Sequence, residues 1–195
     1  MLKATRVGDI TEIKLGRSID GSNVLYWVAA YLVDGILIDT GCDYTKTELV
    51  EFLVDKRLSA IVNTHYHEDH VGANALLKQR LGLRALAHQE TIRLMGQKYD
   101  LYPFQREIWG YPDGCTAEPV QASLVSGELS FRIVETPGHC RGHISLFEEK
   151  RRALFSGDTW VGERPKIARA EENQHQLICD LGKFEELRPN MMFAS

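Results

Sequence analysis

The sequence predicts an α/β layered fold, and three observations predict it. A strand-like run, Ile36-Leu37-Ile38, is followed by a stretch at helical spacing and then by a second short apolar run, Ala60-Ile61-Val62. Strand, helix, strand is the order that lays helices on the faces of a sheet. The histidine-rich and acidic segments fall directly after strand-like runs, and α/β proteins gather their sites where strands end. The length, 195 residues, suits one domain. A chain of that size buries about 70% of its unfolded surface, so it needs neither disulfides nor a structural metal to fold.

The elements follow in order. Asn23 to Asp39 contains two strand-like arms meeting at Asp34-Gly35, a hairpin signal because a type I′ turn needs positive φ at both central residues. From Thr45 to Lys56, apolar Leu49, Phe52 and Leu53 fall on one helical face, with Glu48, Glu51 and Lys56 outward. Ala60–Val62 is a strand. Val71 to Leu81 reads as a helix, Arg84 to Ala87 as a short strand, and Glu90 to Lys98 as a helix. Tyr99 to Pro119 is rich in aromatics and broken by Pro103, Pro112 and Gly114. Such a stretch forms either a lid over a pocket or buried packing, and both readings stay open. Strands are expected at Leu129–Val134, Ile144–Phe147 and Ala153–Phe155, a last helix over Gln176–Leu187 stopped by Pro189, and a last strand at Met191–Phe193.

Composition narrows the function. With 23 Lys and Arg against 27 Asp and Glu, the net charge is −4, which argues against a general nucleic-acid coat or a binder of anionic membranes. The longest apolar run, Val24 to Val33, has ten residues, whereas a spanning helix needs roughly 20. Met1 to Gly16 shows no signal-peptide pattern. Cys42, Cys115, Cys140 and Cys179 are irregularly spaced and read as free thiols of a cytosolic protein. The expected partner is a small-molecule substrate, with neither nucleic acid nor membrane; the oligomeric state stays open.

The chemistry concentrates in Thr64-His65-Tyr66-His67-Glu68-Asp69-His70. At this composition, H-x-H-x-D-H arises by chance in about 5 of 10,000 chains of this size, so it is a strong signal. Imidazole nitrogens and a carboxylate oxygen are what divalent zinc, iron and manganese accept. His65 and His67, two apart at a strand end, project to one side and grip one ion. Asp69 and His70, further on at a helix entrance, are offset enough for a second. Three later residues also lie at strand ends: His139 in Thr136-Pro137-Gly138-His139, His143 four residues on, and Asp158 in Ser156-Gly157-Asp158. Each alone fits a turn or capping role. Together they fit ligands converging at one sheet edge. Cys140 adjoins His139, but adjacent side chains usually point apart, so no Cys-His nucleophile is expected.

With T-H-x-H-x-D-H at Thr64–His70, T-P-G-H at Thr136–His139 and S-G-D at Ser156–Asp158, in that order, the chain closely resembles the metallo-β-lactamase-fold hydrolase superfamily. It looks closer to the glyoxalase II-like thioesterase and lactonase members than to the nucleases. The resemblance runs from Leu37-Ile38-Asp39-Thr40-Gly41 to Phe193. It implies a four-layer αββα sandwich of two mixed sheets flanked by helices, with the metal site at one edge. It implies that His65, His67 and His139 hold a first metal, that Asp69 and His70 hold a second, and that Asp158 bridges them. Asp39 would support the ligand loop, His143 would be structural, and Tyr66 and Glu68 would be solvent-facing or packing residues.

The family usually supplies a last ligand histidine in a Gly-His pair after a final strand. Here Leu187 to Phe193 resembles the lead-in to that pair, and Ser195 follows. The expectation is one domain over residues 1–195, either cut short before that histidine or lacking it. His175, set before the last predicted helix, is poorly placed to replace it.

The implied cofactor is zinc, two ions per chain, with iron or manganese as alternatives. The implied reaction is hydrolysis of a small ester, thioester or lactone by metal-activated hydroxide, with Asp69 as the catalytic carboxylate. Alternatives are a mononuclear iron sulfur dioxygenase of the same fold and a phosphodiesterase or β-lactamase-like hydrolase. A non-catalytic binding module would need a degraded ligand set, whereas most of the expected ligands stand here.

Overall fold

A computed structural model describes residues 1–97, 100–162 and 169–195. Seven strands form the first sheet in their chain order: β1 (Leu2–Val7), β2 (Ile10–Leu15), β3 (Val28–Val33), β4 (Ile36–Ile38), β5 (Ala60–Val62), β6 (Arg84–Ala87) and β7 (Ala117–Pro119). β1 to β4 pair antiparallel, and β4 to β7 run parallel. β8 (Ser123–Ser126), β9 (Leu129–Glu135), β10 (Ile144–Glu148), β11 (Ala153–Gly157) and β12 (Met191–Ala194) form the second sheet, in the order β12-β11-β10-β9-β8. The helices are α1 (Lys46–Leu53), α2 (Asn74–Leu81), α3 (Gln89–Met95), α4 (Pro103–Ile108) and α5 (Gln174–Leu187).

Strand alternation sorts the side chains into layers. Ile36 and Ile38 of β4 join Tyr31, Val62, Phe131, Leu146 and Phe155 in one buried cluster between the sheets. Leu37, between them in sequence, faces the other way and packs with Leu49 and Leu53 of α1 and Leu77 of α2. On the far side of the second sheet, Phe147 and Leu154 pack on Phe184 of α5. Helix, sheet, sheet, helix is the expected αββα order. Phe131 is fully buried in the inter-sheet cluster, so Phe131→Ala is expected to cost about 3–5 kcal/mol, measured as a lower urea midpoint.

The hairpin forms as its sequence demands: Asp34 and Gly35 both have positive φ, +45° and +82°, and Val33 pairs with Ile36. Other boundaries differ for identifiable reasons. The helix expected from Val71 starts only at Asn74. The backbone of His70 and Gly72 is bonded instead to the loop after β4, through Thr40 N–H to His70 O at 2.9 Å and Gly72 N–H to Gly41 O at 2.8 Å. Gly72 makes this possible, because a Cβ there would lie 2.2 Å from the Cys42 carbonyl carbon. The helix expected over Glu90–Lys98 runs from Gln89 to Met95 and gives way at Gly96; Lys98 lies outside the described residues. α5 starts two residues early because the Asn173 side chain accepts from Gln176 N–H. His175 is therefore an exposed residue of its first turn rather than one ahead of the helix. β1, β2, β7, β8 and α4 were not expected.

The aromatic stretch, of which Tyr99 lies outside the described residues, contains α4 and β7. Ile108 and Trp109 are buried against Cys42, and Trp109 O accepts from Asp43 N–H at 3.0 Å. Tyr102, Phe104 and Tyr111 stay exposed. Among the described residues, no helix is long and apolar enough to cross a membrane.

Candidate metal centre

The centre forms where the parallel strands β4 and β5 end and where β9 and β11 end beside them. A hydrogen bond from Ile144 N–H to Thr64 O, 2.9 Å, ties the two sheets together there. Asp39, immediately after β4, has φ +59°, a conformation that Asp tolerates better than most residues. Its carboxylate accepts from Thr64 N–H at 2.8 Å, from the Thr64 hydroxyl at 2.7 Å and from His70 Nδ1 at 2.9 Å. Asn63 Nδ2 donates to His70 O at 3.2 Å, and Asn74 Nδ2 donates to Asn63 Oδ1 at 2.7 Å, bracing the same loop. A local histidine-rich sequence is thus wound into a fixed, buried turn.

The hydrogen bonds also determine which ring nitrogens keep a lone pair. The Thr64 hydroxyl donates to Asp39, so its oxygen accepts from His65 Nδ1, 3.0 Å away. That leaves His65 Nε2, which is buried and has no hydrogen-bond partner. His139 donates from Nδ1 to Glu172 Oε1 at 2.8 Å, and its Nε2 lies 3.1 Å from His67 Nδ1. Ligating atoms of His65, His67, His139 and Cys140 all lie within 4.8 Å of one another. A buried nitrogen left without a partner, as His65 Nε2 is, is costly, and three imidazoles and a thiol gathered this closely match the donor set of a divalent transition metal. The residues fit such an ion.

A second set adjoins the first. His65, His70 and Asp158 also bring ligating atoms within 4.8 Å. Asp158 spans both sets: one oxygen is 3.3 Å from His70 Nε2 and the other 3.6 Å from His139 Nε2. Asp69 Oδ2 is 3.8 Å from His70 Nε2. Burial, reinforced by the neighbouring imidazoles, pushes His65 well below the usual histidine range. Burial also pushes His67 and His143 well below it, aided by Arg169 and His139 respectively. At His70 burial pulls the same way, but Asp69, Asp39 and Asp158 outweigh it and hold its pKa well above the usual range. The pocket therefore favours positive charge at His70 Nε2, which a proton or a cation can supply.

His143 is placed differently. Its Nε2 accepts from Asp158 N–H at 3.0 Å, and its Nδ1 lies 2.8 Å from the Thr136 hydroxyl. With both nitrogens used, it braces the Asp158 backbone. Ser195, after β12, donates from its hydroxyl to Asp158 Oδ1.

Several residues at the centre were not singled out by sequence. Cys140 is a correction: the thiol expected to point away from His139 sits in the same cluster, fully buried. Glu68 is also fully buried, accepts from Gln105 Nε2 at 2.8 Å, and is pushed up to about 7 by burial and by Asp69. Tyr66 is half-buried, and burial pushes its hydroxyl up to about 12. The Arg169 guanidinium lies 3.5 Å from both Glu68 Oε1 and Asp69 Oδ1. Beside the centre, touching it through Tyr66, is a cavity of about 750 Å³ lined also by Val71, Asn74, Met95, Tyr111 and Cys115.

The chain is similar to known proteins in sequence and in fold. The model of the metallo-beta-lactamase superfamily matches residues 28–173. A probable metallo-hydrolase of Bacillus subtilis (strain 168) is 23% identical over 167 residues, which cover 83% of this chain and 75% of that protein. A hydroxyacylglutathione hydrolase of Haemophilus influenzae is 31% identical over 111 residues, 54% of this chain and 51% of that protein. The chain thus spans about half the length of that hydrolase. Among solved structures, a metallo-beta-lactamase from Pontibacter korlensis superposes with a TM-score of 0.76 at 18% identity, covering 100% of this chain and 91% of that one. A metallo-beta-lactamase family protein of Thermus thermophilus gives 0.72 at 20% identity, covering 96% and 73%. At such identities the solved structures speak for the fold alone.

Proposed function

Because the chain belongs to the metallo-beta-lactamase superfamily, we propose that its histidine–carboxylate centre is the metal site of a hydrolase acting on a small ester, thioester or lactone. The observation that carries this is the gathering of candidate ligating atoms of His65, His67 and His139 within 4.8 Å of one another, His67 Nδ1 and His139 Nε2 being 3.1 Å apart, with Nδ1 of His65 and of His139 engaged elsewhere. His65, His67 and His139 would hold a first zinc ion; Asp69, His70 and Asp158 would hold a second, Asp158 reaching both. When bound, such ions supply Lewis acidity and bring the pKa of water toward neutrality.

The chain's own groups do the rest. Asp69, whose Oδ1 is buried without a hydrogen-bond partner, orients the attacking water and carries its proton toward the leaving group. Arg169 balances the charge of Asp69 and Glu68. His143 holds the Asp158 backbone in place. The cavity beside Tyr66 is of a size for a small molecule. The hydroxyacylglutathione hydrolases among the relatives support a thioester as the first substrate to try.

The test is a metal count on the intact protein joined to a panel of ester, thioester and lactone substrates. Zinc, with turnover of at least one substrate that a chelator abolishes, is the expected outcome. A single iron with oxygen uptake and no hydrolysis would replace this reading with the dioxygenase one.

A further inference from the structure

We infer that Glu172 is a positioning residue for the metal centre, holding His139 in the tautomer and orientation in which Nε2 faces the ion. The inference rests on the reading of His139 as a ligand. Glu172 Oε1 is 2.8 Å from His139 Nδ1, and the two side chains are only 13% and 3% exposed. A carboxylate accepts and never donates, so the ring proton sits on Nδ1 and the lone pair on Nε2. An ionised acceptor on one ring nitrogen also raises the basicity of the other, strengthening its bond to a metal.

The fold sets this carboxylate in place independently of any ion. The turn bearing His139 is clamped to the start of α5: Asn173 N–H donates to Gly138 O at 2.8 Å, and Gly138 N–H donates to Asp180 Oδ2 at 2.7 Å. Asp180 is fully buried and is held in turn by Lys183 at 2.7 Å. The helix seats this closely because residue 138 is glycine; a Cβ there would lie 2.5 Å from the Leu177 backbone. Glu172 immediately precedes the clamped Asn173, and its second oxygen accepts from Gln174 Nε2 at 3.2 Å. Docking of α5 therefore delivers the carboxylate to the imidazole.

Glu171 provides the contrast. Its Oε1 comes within 3.1 Å of His67 Nε2, but it is 41% exposed, and that nitrogen has no aligned hydrogen bond. It contributes charge near the centre without fixing a tautomer.

A merely structural pair would staple α5 to the turn and leave metal binding alone. The discriminating experiment measures the zinc dissociation constant of the full chain by chelator competition, together with the melting temperature of the metal-free protein. The proteins are wild type, Glu172→Gln, Glu171→Gln and His139→Ala. Glu172→Gln keeps the side chain's size but replaces the ionised, acceptor-only group with a neutral amide whose N–H₂ can equally face Nδ1, and is expected to weaken zinc binding by about 10- to 100-fold with little change in the metal-free melting temperature. Glu171→Gln is expected to weaken it by less than about threefold. Zinc binding unchanged in Glu172→Gln but lost in His139→Ala would overturn the positioning role while keeping the ligand. Equal losses in the two glutamine variants would overturn it in favour of diffuse charge. Zinc binding by His139→Ala as tight as by wild type would instead remove the ligand reading, and this inference with it.

Discussion

His67→Ala is expected to abolish tight binding of the first ion and to lower hydrolysis of whichever panel substrate the protein accepts by more than about 100-fold. Removing an outer partner of a ligand already costs 10- to 100-fold in metal affinity or activity, and His67 is read as a ligand itself. Its Nδ1 lies 3.1 Å from His139 Nε2, so alanine leaves only two of the three histidines of the first set. The imidazole is buried, and deleting it also opens a small void, but the surrounding turn is held by Asp39, Asn63 and Asn74 rather than by His67. The variant is therefore expected to fold and to lose metal. Metal analysis of the dialysed protein, alongside the substrate assay, checks both halves. Unchanged metal stoichiometry would remove His67 from the ligand set, and metal lost without any loss of turnover would separate the ion from the chemistry.

How far the sequence anticipated this centre depends on whether the determinants are local. His65, His67, Asp69 and His70 lie within six positions after an apolar strand, so composition and spacing alone marked them, and the structure brings them to one sheet edge. His139 and Asp158 stood out because each also follows a strand. The outer partners did not stand out. Glu172 reaches His139 only because Gly138 bonds to Asp180, 42 positions away, a tertiary fact with no local pattern. Arg169 meets Glu68 and Asp69 across about a hundred residues of chain in the same way. Cys140 was misjudged because alternation was applied to a turn, where it does not hold. In the fold, the hairpin at Asp34-Gly35 was legible since its turn chemistry is specific. β1 was not, because only Leu2 among its six residues is even partly buried, so an edge strand of this kind shows no hydrophobic alternation to read. The start of α2 was misplaced because the backbone of residues 70–72 is claimed by the loop after β4, and periodicity cannot report that competition.

Asp39→Ala is expected to be the most destabilising single change near the centre, by about 3–5 kcal/mol, although Asp39 is not read as a metal ligand. Three donors end on this one carboxylate: Thr64 N–H, the Thr64 hydroxyl and His70 Nδ1. Asp39 is 2% exposed and Thr64 and His70 are each 1% exposed, so water cannot readily replace the lost acceptor, and each stranded donor carries its desolvation cost. Alanine also tolerates the φ of +59° at this position less well than aspartate does. Asp39→Asn separates the structural loss from the chemical one. Asparagine accepts the left-handed backbone and retains one acceptor oxygen, so less stability is lost. Placing an amide N–H₂ against His70 Nδ1–H sets donor against donor, and the ring escapes by moving its proton to Nε2, the nitrogen that faces Asp158. The second ion should then be lost while the one at His65, His67 and His139 stays. Urea midpoints of both variants and metal equivalents of Asp39→Asn measure the two effects. A fully stable Asp39→Ala would mean that the Thr64–His70 turn is held by the Asn63 and Asn74 bonds alone, and a full metal complement in Asp39→Asn would mean that His70 does not depend on Asp39 for its tautomer.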